Sequence, residues 1–286
     1  IKQERTSNMD RQQHSQVPQK SGRGRGGGRG SGRGRGSGRG RGRGRGDNDN
    51  NQDRVLSTAL SWVLRHGAPS MGLKMSTDGY VPLAAILASD TRGLKKFTEE
   101  DVRKVVTSND KQRFSLTERQ IVIVGDDRKK YSFAVSSDNS NNRPSVKALC
   151  IRANQGHSIK GIVAEDLLTP IPPQELKTLD IIVHGTNNYA WEKYICNQGL
   201  NRMTRNHIHF APGVPQSSSR VISGMRKNCE IHIFVDGAKC AKDNVKFYRS
   251  SNGVILTPGT DKKGTLPVDY FSSVIDTKKD LELLNR

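Results

Sequence analysis

RVLSTALSWVLRHG, residues 54–67, is the stretch from which the fold is read. Leu56, Ala59, Leu60 and Val63 recur at the spacing of one helix face, so a helix is expected over 54–66, with Gly67 as its stop. Asp53, just ahead of it, is a candidate cap. Working outward, Asp78-Gly79 marks a turn, and Pro82 suits the first turn of a short helix ending at Leu87. Thr98-Glu99-Glu100-Asp101 has the form of a capping box ahead of Val102, Val105 and Val106. Residues 112–116 and 120–124 read as the two strands of a small hairpin. Three helices followed by a hairpin give a winged-helix-like lobe. Lobes of that class commonly bind nucleic acid, an inference by analogy alone.

Beyond this lobe (54–160) the composition changes twice. Residues 125–145 are polar, and the stretch 117–148 reads as a surface insertion. Pro170, Pro172 and Pro173 mark residues 161–178 as an interlobe linker. Strand signals then dominate over 179–276. Ile181-Ile182-Val183 runs into His184-Gly185-Thr186, and residues 191–198 form a helix ended by Gly199. Residues 207–210 and 230–235 alternate like half-buried strands. Asn252-Gly253 is a hairpin turn between 245–249 and 254–257. The fold class expected is α+β, with a β-rich second lobe and a C-terminal tail over 277–286.

The chain has 286 residues and a net charge of +19. Its hydrophobic fraction, 33%, falls below the ~45–50% of ordinary globular chains. Much of the deficit lies in residues 21–46, SGRGRGGGRGSGRGRGSGRGRGRGRG, which hold 14 of the 29 Gly and 9 Arg. Such a segment buries nothing to offset its backbone entropy, so residues 1–53 are expected to be a disordered Arg/Gly-rich tail closed by the polar linker 47–53. Its arginines suit salt-sensitive contacts with RNA phosphates and bases. The folded remainder is basic too, with 34 Lys and Arg against 23 Asp and Glu. No run approaches the ~18–20 apolar residues of a membrane span, and no apolar h-region of a secretory signal is seen.

Cys150, Cys196, Cys229 and Cys240 form no C-x-x-C pair, which argues against a zinc site or disulfide framework and places the chain in the cytoplasm or nucleus. Six histidines lie in the folded part, several beside Arg or Gly at element ends: Arg65-His66, Arg152 ahead of His157, and Arg205 ahead of His207 and His209. An Arg fork reads phosphate oxygens bidentately, and a His exchanges protons near neutrality. Three arginines and a histidine converging on one phosphate would make an anion site. Each piece alone also has a plainer reading: Arg-His at a helix end complements the helix dipole, and His232 suits a solvent-facing strand position. His207 and His209 point to one face of a strand, but no third metal ligand at plausible spacing accompanies them.

Taken together, LSTALSWVLRHGA (56–68), DGYVPL (78–83), NDKQRF (109–114), IRANQGHS (151–158), HGT (184–186), MTRNHIHFA (203–211), ISGMRKNCEI (222–231) and SSNGVILTPG (250–259) resemble, in order and spacing, the tRNA 2′-phosphotransferase family. The resemblance implies a winged-helix RNA lobe and an NAD-binding, ADP-ribosyltransferase-like lobe. It implies that NAD is consumed as a co-substrate, with no metal. The substrate implied is tRNA carrying an internal 2′-phosphate, and the protein would act as a monomer away from membranes. The RNA 2′-phosphate would attack C1″ of the NAD⁺ ribose and release nicotinamide. Transesterification would then free the RNA 2′-OH and leave ADP-ribose 1″,2″-cyclic phosphate. The family's catalytic Arg-His-Arg-Arg set maps onto Arg65, His66, Arg152 and Arg205, with His66 orienting or transferring a proton. His184, Gly185, Thr186, His209 and Arg226 would line the NAD pocket, and Asn154, Gln155 and His157 would meet the substrate. The Arg-Gly tail and the long 117–148 stretch, with Arg128-Lys129-Lys130 as possible RNA contacts, depart from the family pattern. Two rivals are an ADP-ribosyltransferase that caps terminal phosphates of RNA or DNA, and a non-catalytic Arg-Gly RNA-binding protein.

Overall fold

The computed structural model describes residues 45–123, 131–133, 145–214, 225 and 228–285. Nearly all of the Arg-Gly stretch, Arg128-Lys129-Lys130 and Arg226 lie outside these residues.

Helix α1 spans Arg45–Trp62 and seats Leu56, Ala59 and Leu60 in the core, as the periodicity requires. It starts earlier than expected, so the described part of the presumed polar linker is helical. Asp53 sits inside the helix and pairs with Lys104 at 3.2 Å instead of capping it. Nor does Gly67 end the helix. Val63–Gly67 forms a wider turn in which the Ala68 N–H donates to Val63 O at 2.9 Å, five residues back. A tight turn, Pro69–Met71, follows and ends at left-handed Gly72. The cause is Pro69, which has no N–H to offer the Arg65 carbonyl four residues earlier. Gly67 is required by packing: a Cβ there would lie 2.3 Å from the Trp62 ring.

Strand β1 (Val81–Pro82) leads into α2 (Leu83–Leu87), and α3 (Glu99–Ser108) begins with the expected capping box between Thr98 and Asp101. The expected hairpin strands are one strand, β2 (Phe114–Ile123). It pairs with β3 (Tyr131–Phe133) on one side and along its length with β4 (Ser145–Ala153) on the other, from Phe114↔Ala153 to Val122↔Ser145. With β1 the sheet order is β1-β4-β2-β3. The presumed insertion 117–148 thus supplies much of a sheet. Its polar residues Thr117, Glu118 and Arg119 pair across to Cys150, Leu149 and Ala148, a partnership that local pattern does not reveal.

The proline-rich stretch read as a linker is also folded, as α4 (Ala164–Leu167), β5 (Thr169–Ile171) and α5 (Pro173–Leu176). β5 is the edge of a sheet ordered β5-β10-β11-β8, and an edge tolerates the missing N–H of Pro170. β6 (Val183–Thr186) precedes a helix running through α6 (Asn188–Ala190), the turn Trp191–Ile195 and α7 (Cys196–Gln198), which ends at Gly199 as read. β7 (Leu200–Asn201), β8 (Ile208–Phe210), β9 (Ile231–Val235) and α8 (Gly237–Lys242) follow. β10 (Phe247–Arg249) and β11 (Ile255–Thr257) form the expected hairpin, and β12 (Thr265–Leu266) pairs with β7. β13 (Phe271–Asp276) and β14 (Leu281–Asn285) complete a sheet ordered β14-β13-β9-β6. The presumed tail beyond 277 is therefore an edge strand, with Leu284 packed against the core. One apolar core gathers residues from Leu56 to Ile159 and a second gathers residues from Ile171 to Val274. The described residues are mixed helix and sheet. No described helix is long and apolar enough to cross a membrane.

Candidate active site

The wide turn after α1 carries Arg65 and His66. The Arg65 carbonyl, left without a helical donor by Pro69, accepts the Ser158 N–H at 2.9 Å. That bond ties the turn to the loop after β4. His66 Nδ1 lies 2.8 Å from Ser158 Oγ, so the same serine orients the imidazole. The Arg65 side chain lies over Gly156, where a Cβ would come within 3.2 Å of Nε. From the other core, the turn before β8 carries Arg205. It is fixed from both ends. Arg202 Nη1 donates to Arg205 O at 2.8 Å, and the Asn206 N–H donates to His157 O at 2.8 Å.

Electrostatics show which groups face one another. Burial, then Arg113, then Arg205 pull Arg65 down to about 10. Burial, Arg65 and Arg205 lower His66. His157, 3% exposed, is pushed down to about 3 by burial and then by Arg65 and Arg152. His209, 6% exposed, is held well below its ordinary value by burial and then Arg205. His207 falls to about 4 through burial and Arg202. His184 is lowered by burial; its Nδ1–H donates to His209 O at 2.9 Å, which leaves Nε2 as an acceptor in the neutral ring. These imidazoles are neutral near pH 7, so the positive charge of the cluster resides in its arginines. Arg65 ion-pairs with no carboxylate among the described residues. Arg65 Nε, Arg152 Nε, both ring nitrogens of His157 and Nε2 of His209 are buried with no hydrogen-bond partner. A buried polar atom left unsatisfied costs about 1–3 kcal/mol. Five of them beside a group of arginines describe a receptor for an anionic, hydrogen-bonding ligand.

Residues 51–259 match the family described as RNA 2′-phosphotransferase, Tpt1 / KptA family. The chain belongs to this family. It is 43% identical over 222 residues to the tRNA 2′-phosphotransferase 1 of Danio rerio, covering 78% of this chain and 85% of the relative. It is 40% identical over 236 residues to the tRNA 2′-phosphotransferase 1 of Homo sapiens (82% and 81%). It is 33% identical over 231 residues to the tRNA 2′-phosphotransferase of Saccharomyces cerevisiae (78% and 84%). A transferase enzyme of this type is thereby established.

In this phosphotransferase the expected residues are not all equal. Arg65, His66 and Arg205 gather with His157, His184 and His209. Arg152 stands behind them: its Nη1 donates to Asp78 O at 3.2 Å, lies 3.8 Å from Asp78 Oδ2, and its guanidinium stacks on Tyr80. Asp78 also binds Arg119. A further arginine, Arg113 at the start of β2, which sequence reasoning absorbed into a strand, acts on Arg65. The signal was available, because NDKQRF was among the matching strings. Asn154 is 4% exposed and its amide is engaged at both ends, donating to Gln112 O at 2.7 Å and accepting from Ser115 Oγ at 2.6 Å. It braces the Arg113 turn. Gln155 is half-buried beside it. Gly185 lies in β6 opposite His232, and a Cβ there would fall 2.5 Å from Cys229 Sγ. Thr186 ends the strand, its carbonyl accepting the Glu230 N–H. No set of three or more His, Cys, Asp or Glu among the described residues could hold a metal.

Proposed function

We infer that this enzyme removes the splice-junction 2′-phosphate from ligated tRNA, with NAD⁺ as the co-substrate. The observation that carries the reading is the group of buried nitrogens without partners on Arg65, His157 and His209, in a cluster whose charge is supplied by arginines. A 2′-phosphate brings acceptor oxygens and negative charge to Arg65, which pairs with no carboxylate among the described residues. The pyrophosphate and riboses of NAD⁺ suit the same donor set, and His184, Gly185, Thr186 and His209 are the residues that would line its pocket.

The chemistry is the one that the family resemblance implies. An RNA phosphate oxygen attacks C1″ of the nicotinamide ribose, and nicotinamide departs with the electron pair of the broken C–N bond. Arg65 and Arg113 hold the phosphate in line. The vicinal 2″-OH then attacks phosphorus, the RNA 2′-oxygen leaves as a hydroxyl, and ADP-ribose 1″,2″-cyclic phosphate remains. Negative charge grows on the phosphoryl oxygens in this second step, where Arg205 stabilises it. A preorganised donor of this kind is worth about 3 kcal/mol. His66, oriented by Ser158, either positions a hydroxyl or moves its proton.

The first half of the chain is read as the RNA-binding lobe and the second as the ADP-ribosyltransferase-like lobe. The test is incubation of the protein with NAD⁺ and a 2′-phosphorylated splice-junction oligonucleotide. Nicotinamide, the cyclic phosphate and RNA bearing a free 2′-OH are expected in equal amounts. Absence of nicotinamide release ends the reading. Transfer to terminal phosphates without cyclic product makes the enzyme a capping transferase. The Arg-Gly segment is read as an aid to RNA affinity, so deletion of residues 1–44 should leave turnover at saturating RNA within about twofold while raising the RNA concentration needed. Because α1 begins at Arg45, a deletion reaching residue 53 would cut the helix and remove the Asp53–Lys104 pair.

A further inference from the structure

The hairpin Asn252-Gly253 has a feature that its turn does not require. Only Gly253 has a left-handed backbone, at φ 81°; Asn252 does not. Asparagine is therefore not there to permit the bend. Its side chain is instead held across two elements. Ser250, 3% exposed, donates its hydroxyl to Asn252 Oδ1 at 2.7 Å, and Asn252 Nδ2 donates to Lys111 O at 2.8 Å. The orientation is chemically forced, because a backbone carbonyl can only accept.

Lys111 lies in the turn between α3 and β2. That turn carries its own constraint, since Gln112 is left-handed at φ 46°. Three contacts surround the residue. Asn252 holds the carbonyl before it, Asn154 Nδ2 holds its own carbonyl, and the Asn154 N–H holds the Arg113 carbonyl at 2.9 Å. The Arg113 guanidinium is then aimed by Asn109, whose Oδ1 accepts from Nη1 at 3.0 Å. Two residues beyond Asn154, Gly156 underlies the Arg65 side chain. The Lys111 ammonium reaches back to Met225 O at 3.3 Å, so the turn meets the second half of the chain at two points.

We propose that Asn252 is a positioning residue: reaching from the β10–β11 hairpin, it fixes the Lys111–Gln112 peptide and thereby sets Arg113 beside Arg65. This rests on the reading that Arg113 engages the RNA phosphate. The hairpin of one half of the molecule then completes the anion site of the other, and the reactive arrangement exists only when both are in place.

The experiment compares binding of two copies of one oligonucleotide, with and without the 2′-phosphate, to the full chain in the absence of NAD⁺. Asn252→Asp keeps the size and the bond to Ser250 but sets an oxygen against the Lys111 carbonyl. Asn252→Ser is neutral and too short to reach. Each should lower the preference for the phosphorylated copy at least fivefold, with affinity for the plain copy within twofold and melting close to wild type. In an Arg113→Ala background, Asn252→Ser should change the preference less than twofold. Equal losses in both backgrounds, or a preserved preference in both variants, overturns the proposal. A wild-type protein that binds both copies equally overturns the reading of the site, and the proposal with it.

Discussion

Arg65 and Arg152 both depress the protonation of the same buried histidine, His157. Their surroundings differ. Arg152 has a carboxylate, Asp78, a carbonyl from the same residue, and the face of Tyr80. Arg65 has Gly156 beneath it and other cations around it. Guanidinium groups answered by the protein's own anions are fastenings. Arg65, crowded by Arg113 and Arg205 and ion-paired with no carboxylate among the described residues, is held in a state that an outside anion relieves. The second condition is expensive: like charges repel and buried donors go unused. It persists because the wide turn, the Ser158 bond and the braced Arg205 turn leave the side chains nowhere else to go.

The sharpest way to break the comparison is to remove Arg65. Arg65→Ala should lower single-turnover nicotinamide release about 200- to 800-fold, in line with about 3–4 kcal/mol for a preorganised donor, while the protein melts no lower than wild type, since a repulsive charge has gone. Loss of less than tenfold would place Arg65 among the fastenings. Arg205→Ala should slow the second step about a hundredfold and accumulate 2′-phospho-ADP-ribosylated RNA, visible on a denaturing gel; if none accumulates, the division of labour between the steps is wrong. Arg152→Met and Asp78→Asn belong to the other class. Each should cost about 1–2 kcal/mol of stability, read as a lower melting temperature, with turnover reduced no more than about tenfold. A separate effect is in pH and leaves turnover at neutral pH aside. The unfolded chain protonates His157 below about 6.5, whereas the fold resists until about 3. Stability from this residue is therefore constant above pH 6.5 and is lost progressively as pH falls between those values, at up to about 1.4 kcal/mol per pH unit. His157→Gln should flatten the melting profile between pH 6.5 and 4.

The parts of this architecture legible in the sequence are those whose cause is local. The Thr98 cap, the Gly253 bend and the apolar face of α1 each arise from neighbouring residues. β4 was missed and β2 was divided because their strand character comes from each other. Glu118 lies opposite Leu149, and Arg119 opposite Ala148, across a polar gap in the sequence. The prolines of β5 suggested a linker because edge position is a tertiary property. The same division holds at the site. Arg65, His66 and Arg205 were read from their strings. That Arg152 meets Asp78 is not legible locally, because the two lie 74 residues apart. Nothing next to Arg113 in the chain announces that Asn154 and Asn252 bond the carbonyls of its turn.

The wide turn at Val63–Gly67 has a further consequence. Each residue of an α-helix rotates the side-chain direction by about 100°, and a five-residue closure holds one residue more than a regular turn would. A single-residue deletion here would mend the helix ladder and swing the arginine-histidine pair a quarter circle or more off its target. The irregular helix is the competent one, and selection for a smoother helix at this point would be selection against the enzyme.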